Sequence, residues 1–395
     1  MNILFFYPTG FDPQCGGTEK VMETLSNCFA RDGHCVFYAS IHKATDYIAP
    51  FPHLVLDNAK WSALNSVRID LLSSFVREHN IDIIIDNYHH NKLKYLKMIA
   101  SVKKQTGVKV VTLYHTAPTG HELRWTRIKE DEWLRTPRKK RLKECILGRK
   151  LLAKLEHKQT SKALQLRLKH FDKLVLLSKY FIPEAMELSG ISSSDKYAAI
   201  PNPVGSLKDT TQSETKMDEL LWVGRMASLK RPEKALKVWL EIQDAFPDWE
   251  INFVGDGEMY GALQEISSQL GKRCHLLGYQ NPTSYYETAK IFLMTSDFEG
   301  FPLVLVEAQR HGVVPIAFNN FASIKDIIVE GETGITVPTN DLVTYKQQLT
   351  ELMRNEEKLK DLSEKARQHS MRFTEDNVIP MWYDLFHSLG LSPEK

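Results

Sequence analysis

The feature that most constrains this chain is the stretch EGFPLVLVEA, Glu299 to Ala308. It follows IFLMTS, Ile291 to Ser296, a short apolar run of β-formers that reads as a buried strand. Asp297 to Gly300 reads as a tight loop. Pro302 suits the first helical position, because proline lacks the N–H that would be an orphan there. Leu303 to Val306 then continue a helix that is apolar nearly all round and is expected to be buried. Two carboxylates, Glu299 and Glu307, frame the stretch eight residues apart.

Glu299 falls in the loop before the helix, while Glu307 lies more than a turn inside it. A carboxylate in an apolar helix needs a partner, and a ribose diol offers two O–H donors. The free N–H groups and positive dipole end at a helix start suit a phosphate. One short stretch therefore offers contacts for a sugar, a phosphate and a ribose in sequence. The structural alternative is a core helix with one capping and one salt-bridged carboxylate.

The spacing of the two Glu residues, with Gly300-Phe301 after the first and Ala308 after the second, resembles the E-x7-E motif of retaining glycosyltransferases of family 4, which have the GT-B fold. The resemblance implies that Glu299 faces a donor sugar and Glu307 holds the nucleotide ribose. Gly300, Phe301, Pro302 and Leu303 would complete that donor contact.

With 395 residues the chain is long enough for two cores. Its 43% hydrophobic and 25% charged content is that of a globular protein. No run of 18 apolar residues is present, and the start lacks a basic signal-peptide region. A cytoplasmic protein is expected. Cys15, Cys28, Cys35, Cys145 and Cys274 are scattered and form no CxxC pair, so reduced thiols are expected.

The N-terminal half opens with the strand NILFFYP, the glycine-bearing loop Thr9 to Gly17, an amphipathic helix and the strand CVFYAS, Cys35 to Ser40. That order is the opening of a doubly wound α/β domain. Gly16 and Gly17 would let backbone N–H groups approach an anion, and equally provide an ordinary strand-to-helix turn. The strands DIIIDN and VKVVTLYH follow, the second ending at His115, where α/β sheets place ligands. His115 resembles the family's histidine that faces the donor sugar. His89, His90 and His121 read as acceptor-side or surface residues, without metal-ligand spacing. In YAAIPNPVG, Tyr197 to Gly205, Pro203 stands where the family has Gly in Pro-Asn-Gly-Val, which leaves Asn202 without an assigned contact.

Between His121 and His170 there are 16 Lys and Arg against 6 Asp and Glu, while the chain as a whole carries only +2. The stretch 124–158 could be a solvated helical face, a dock for an anionic bilayer, or a guide for an anionic acceptor. No nucleic-acid motif accompanies it.

The polar segment 206–219 is the expected linker between a first domain, 1–205, and a second, 220–374, with 375–395 as a terminal helix that in GT-B enzymes crosses back to the first domain. The second half starts with LLWVGR; Gly224 and Arg225 end this strand, and Lys230 follows five residues on. Arg supplies a planar fork and Lys a point charge, which together could close on a diphosphate. This Gly-Arg-x4-Lys pattern also matches family 4. INFVGDGEMYGAL carries Gly255, Gly257 and Gly261 in an imperfect dinucleotide spacing and reads as a nucleotide-side loop. Gly278 and Tyr279 follow the next strand, near where the family holds the base.

The resemblance implies two Rossmann-like domains facing across a cleft and metal-independent transfer of a hexose from a UDP-sugar or GDP-sugar. Glu299, His115, Arg225 and Lys230 would be the catalytic groups, with no resident cofactor. The acceptor would be a saccharide or lipid-linked glycan for the cell surface, and the enzyme would be peripheral on the inner membrane face. An epimerase or phosphorylase on the same fold, or a non-catalytic glycan- or nucleotide-binding protein, are the alternatives.

Overall fold

The structure, a computed structural model, describes residues 1–13, 16–42, 47–56, 66–88, 92–120, 148–205 and 216–392. Cys15, His89, His90, His121, Cys145 and most of the basic stretch and of the 206–219 linker lie outside the described residues.

The chain forms two compact units. One takes the chain to Gly205 and resumes at Glu375; the other lies between them and ends at Thr374. Its strands in the first unit are β1 (Asn2–Phe6), β2 (Cys35–Ser40), β3 (His53–Val55), β4 (Ile83–Asp86), β5 (Lys109–Tyr114), β6 (Lys173–Leu176) and β7 (Tyr197–Ala199). In the second they are β8 (Glu219–Val223), β9 (Glu250–Val254), β10 (Cys274–Leu276), β11 (Ile291–Met294), β12 (Val314–Phe318) and β13 (Ile335–Val337).

Both sheets are parallel. The orders are β3-β2-β1-β4-β5-β6-β7 and β10-β9-β8-β11-β12-β13. Helices on both faces explain why the strands are near-continuous apolar runs, such as the fully buried Ile83, Ile84 and Ile85. Strand order reverses between β1 and β4, where Leu4 pairs with Ile84. It reverses again between β8 and β11, where Leu220 pairs with Ile291. At such reversals the connecting loops part at the carboxyl ends of the strands and leave room for a ligand.

The helix Pro232–Ile242 shows how the second core is made. Leu236, Trp239 and Ile242 fall on one face and are buried, and the Trp239 indole N–H donates to the Lys272 carbonyl at 3.0 Å. In the first unit, the terminal helix Glu375–Ser388 lays Trp382 and Phe386 against Phe29 of the helix Gly17–Arg31, with ring centroids 6.3 and 5.7 Å away. Arg31 and Glu375 close this contact with an ion pair at 3.0 Å.

One sequence expectation is displaced. The helix after Glu299 begins at Leu303, and Pro302 is its extended N-cap rather than its first residue. Leu305, Val306, Ala308, Gln309 and Arg310 are buried, but Leu303 and Val304 are only half-buried. The apolar run therefore covers less of the helix circumference than its composition implies.

Candidate active site

In the second unit, the loops after β8 and β11 meet at the strand reversal. Gly224 turns the chain out of β8 with φ 158°, and Arg225 after it is exposed. Five residues on, the Lys230 ammonium donates to Glu299 Oε1 at 2.6 Å, with Glu299 largely buried. The two charged groups that the sequence assigned to phosphate and to sugar are thus brought into direct contact.

A second, deeper set of charges fixes that pair. Asp297 accepts from Arg231 Nε at 2.5 Å through one oxygen and from Lys234 Nζ at 2.6 Å through the other. All three side chains are buried. Arg231 sits in the left-handed region at φ 52°, which costs about 1–2 kcal/mol for a residue with a Cβ. The ion pair and the Thr295 hydroxyl, which donates to the Arg231 carbonyl at 2.7 Å, offset that cost. Because Arg231 follows Lys230 and Asp297 precedes Glu299 by two, this clamp sets the register of the Lys230–Glu299 pair. Burial pushes Lys234 down from the ordinary lysine value, with Asp297 acting against it. Sequence reasoning missed the clamp, although Lys-Arg-Pro at a helix start and Asp297 at a strand end were visible signals.

The loop between Glu299 and the helix is held from below. Ser323 Oγ donates to the Gly300 carbonyl at 2.6 Å, Asn320 Nδ2 to the Ser296 carbonyl at 2.7 Å, and Phe301 is buried edge-on to Phe373. Glu307 does have a protein partner. The Tyr286 hydroxyl donates to its Oε2 at 3.3 Å, and the Tyr286 ring stacks on His311. Burial, then the neighbouring Glu307 charge, push the Tyr286 phenol well above its ordinary value. Burial, with Lys216 and Arg310 nearby, pushes His311 down to about 4.

The glycine turn after β9 has a packing role. A Cβ on Gly255 would stand 1.9 Å from the Gly224 carbonyl oxygen, and one on Gly257 2.5 Å from that of Met226. Gly255 N–H also donates to the Gly278 carbonyl at 2.8 Å. These glycines let three strand-end loops pack backbone to backbone, so that Gly224, Arg225 and Gly278 are held in one layer. Tyr279, next to Gly278, is exposed.

In the first unit, Gly17 begins the helix and Gly16 is its extended N-cap. The Glu19 carboxylate folds back to 3.0 Å from where a Gly16 Cβ would stand. Burial raises Glu19, and a Tyr7 hydrogen bond and the charge of Asp12 also act on it. The helix start is therefore already complemented by a carboxylate of the chain itself.

At the ends of β4 and β5, His115 Nε2 lies 3.0 Å from Asn87 Oδ1. Burial pushes His115 down to about 3, leaving the ring neutral near pH 7. Beneath it, Asp86 accepts from the Thr112 hydroxyl at 3.0 Å and from Tyr88 N–H at 3.1 Å. The buried Arg167 donates to the Tyr88 carbonyl at 2.6 Å and lies over the Tyr114 ring. Burial raises Asp86 to about 6, with Arg167 the main opposing influence. Asn202 is buried, and its Oδ1 has no hydrogen-bond partner among the described residues.

Among the described residues, no three His, Cys, Asp or Glu side chains converge as a metal site would, and Cys28, Cys35 and Cys274 are free thiols. No helix of the described residues is long and apolar enough to cross a membrane.

These paired Rossmann-like sheets match solved structures over almost their whole length. A lipopolysaccharide outer core galactosyltransferase covers 98% of this chain, with all of that chain aligned, at TM-score 0.71 and 18% identity. An Anabaena protein solved in complex with UDP-glucose covers 99% of both chains at TM-score 0.70 and 15% identity. This is the GT-B fold. Within it, residues 206–369 match the family model described as glycosyl transferases group 1. An exopolysaccharide phosphotransferase of Streptomyces coelicolor is 30% identical over 58% of this chain, but over only 25% of its own length. The chain spans between a quarter and about half the length of the first curated relatives it matches. Lys230, Arg225, Glu299 and Glu307 all fall inside the segment matched by the family model.

Proposed function

We propose that the protein is a glycosyltransferase acting in cell-surface polysaccharide synthesis. It would move a hexose from a nucleoside diphosphate sugar to a saccharide or lipid-linked acceptor, with retained anomeric configuration and without a resident metal or other cofactor. The observation that carries this reading is the Lys230–Glu299 pair at the β8–β11 reversal, beside exposed Arg225 and inside the segment that matches group 1 glycosyl transferases.

In this reading Arg225 and Lys230 take the negative charge that develops on the diphosphate as the anomeric C–O bond breaks. The acceptor hydroxyl attacks on the face the diphosphate leaves, and its proton passes to a diphosphate oxygen. Glu299 holds the sugar and favours positive charge at the anomeric carbon. Glu307, steadied by Tyr286, takes the ribose. Uridine is favoured over guanosine as the base because the Anabaena structural neighbour was solved with UDP-glucose.

The enzyme would work in the cytoplasm, peripherally on the inner face of the membrane. The helix Arg149–His170 supports this, because it exposes Lys150, Lys154, Lys158 and Lys162 together with Leu151 and Leu155. Each lysine near an anionic surface contributes about 1 kcal/mol. Sedimentation with anionic vesicles at low salt tests this; no binding, or binding unchanged in K150E/K154E/K158E, removes the membrane part.

The function is tested by thermal stability against UDP, GDP, ADP and NAD, each with and without Mg²⁺. A specific ligand at a hundredfold excess over its Kd adds about 2.7 kcal/mol. Stabilisation by one diphosphate irrespective of Mg²⁺ is the expected result. Donor turnover without an acceptor would favour an epimerase, a requirement for inorganic phosphate a phosphorylase, and phosphoryl rather than glycosyl transfer the activity named for the Streptomyces relative. An axial glycoside by NMR from an axial donor checks retention.

A further inference from the structure

Among the described residues, Glu299 has a single counter-charge. Its side chain is only 9% exposed, and its Oε1 accepts from the Lys230 ammonium at 2.6 Å. Lys230 in turn pairs with no other acid among the described residues, and its side chain is 30% exposed. The main chains that carry the pair are fixed. The Thr295 hydroxyl is shared between the Arg231 and Lys230 carbonyls at 2.7 and 3.3 Å, and the Asp297 N–H donates to the Leu229 carbonyl at 2.9 Å. On the other side, Ser323 and Asn320 hold the carbonyls of Gly300 and Ser296. Any rearrangement of the contact is therefore confined to the two side chains. One tight turn carries both cations: Ala227 N–H donates to the Arg225 carbonyl at 2.7 Å, and Lys230 N–H to the Ala227 carbonyl at 2.9 Å. Arg225 is exposed. An anion held by both cations must take Lys230 from Glu299 or share it.

The ammonium has three N–H donors but one charge. Two anions can touch it together, yet they divide its attraction and repel each other. We propose that Glu299 competes with the diphosphate for Lys230, so that the site discriminates between a sugar-bearing donor and the bare nucleoside diphosphate left after transfer. A hexose brings hydroxyls that donate to the carboxylate and stand in for the ammonium. A bare diphosphate brings none, so drawing Lys230 away strands a largely desolvated carboxylate. The competition opposes a real tendency of the product to stay. A terminal phosphate freed of its sugar ionises further near pH 7 and is attracted more strongly by Arg225 and Lys230. Once the sugar has gone, Glu299 recovers Lys230 and the diphosphate leaves. The sugar part rests on the glycosyl-transfer reading; the competition for Lys230 rests on the contact itself.

The experiment is calorimetric titration of the full-length wild type, E299Q, K230M and the double variant with inorganic diphosphate, UDP and UDP-glucose. Glutamine keeps the shape and one acceptor oxygen and removes only the charge. E299Q is expected to bind inorganic diphosphate and UDP about tenfold more tightly than the wild type. UDP-glucose gains less, so the preference for it over UDP falls. In the K230M background the same substitution is expected to change diphosphate binding less than about threefold, because the competition needs the ammonium. E299A, which lacks the carboxylate altogether, is expected to shift diphosphate binding in the same direction. Unchanged or weaker diphosphate binding in E299Q overturns the inference. Equal tightening with and without Lys230 shows direct repulsion and overturns the part given to Lys230. A gain for UDP-glucose as large as that for UDP overturns the discrimination. Each of these outcomes leaves the glycosyl-transfer reading standing, whereas absence of binding of all three ligands to every form overturns both.

Discussion

In the second unit, Lys230 is paired with Glu299 and Asp297 is gripped by Arg231 and Lys234, so ion pairs hold the site at its strand ends. In the first unit, the outermost strand-end groups, Asn87 and His115, are joined by a neutral hydrogen bond, with the charges of Asp86 and Arg167 sunk beneath them. In the proposed function it is the second unit that would meet a departing diphosphate. A departing diphosphate carries charge that only cations and N–H groups can balance, and cations at a surface need a carboxylate to hold their geometry.

The largest test of this contrast is to break the clamp. D297A leaves Arg231 and Lys234 buried without their shared carboxylate, and is expected to cost about 3–5 kcal/mol in urea unfolding. A loss under 1 kcal/mol would mean that the clamp does not hold the second site together. Next come K230A and E299A, each expected to lower transfer by about 10²–10³ while the protein still melts cooperatively. Full transfer rates in both variants would show that the Lys230–Glu299 pair is only structural.

The pH response distinguishes the two units at a smaller scale. His115 and His311, depressed to about 3 and about 4, stay neutral in the fold while an unfolded chain protonates them near 6.5. The unfolded state then binds more protons, so stability falls as pH drops below about 6.5, and the His311 part levels off near pH 4. Asp86, raised to about 6, acts in the opposite sense: its protonated folded form is favoured at low pH, and that stabilisation is lost as pH rises from about 4 to 6. H311Q is expected to reduce the loss between pH 7 and pH 5 by about 1–2 kcal/mol. An unaltered pH profile would show that the ring is not desolvated. The smallest effect is that of Y286F, which frees one oxygen of Glu307 and is expected to weaken UDP binding by about 1 kcal/mol, with inorganic diphosphate unaffected. Calorimetric titration of both ligands checks the difference.

How much of this could be read from the chain also differs between the units. In the second, Gly224-Arg225-x4-Lys230 and Glu299-x7-Glu307 are two short fixed spacings that the sequence shows, and the structure brings Lys230 of the first against Glu299 of the second. The doubly wound sheets were legible too, from apolar runs such as IIID and IFLM between helical stretches. The partners were not, because Asp297, Arg231 and Tyr286 act across elements, and a lone Tyr or Arg gives no spacing to read. In the first unit, Arg167, 81 residues after Asp86 in the sequence, closes a network with it from the end of a helix rich in basic residues, where one buried cation has no spacing to mark it. The pair Asp86-Asn87 at the end of an isoleucine run was the available signal, since buried polar groups at a strand end need a reason to be there. Gly255 and Gly257 were visible, but their role in backbone packing against Gly224 and Met226 was not. Pro302 was misplaced by one residue because its φ fits both the N-cap and the first turn.

The terminal helix has a consequence for the order in which a ribosome could hand over this protein. The first strand of the first unit begins at Asn2 and supplies Phe5 against Phe29, yet the rest of the aromatic cover for Phe29 comes with Trp382 and Phe386. All of the second unit precedes Glu375 in the chain and emerges before them. The half that is synthesised first is therefore the half that finishes last. Until that helix has emerged the first unit carries an open aromatic face, which a holding chaperone would be expected to shield.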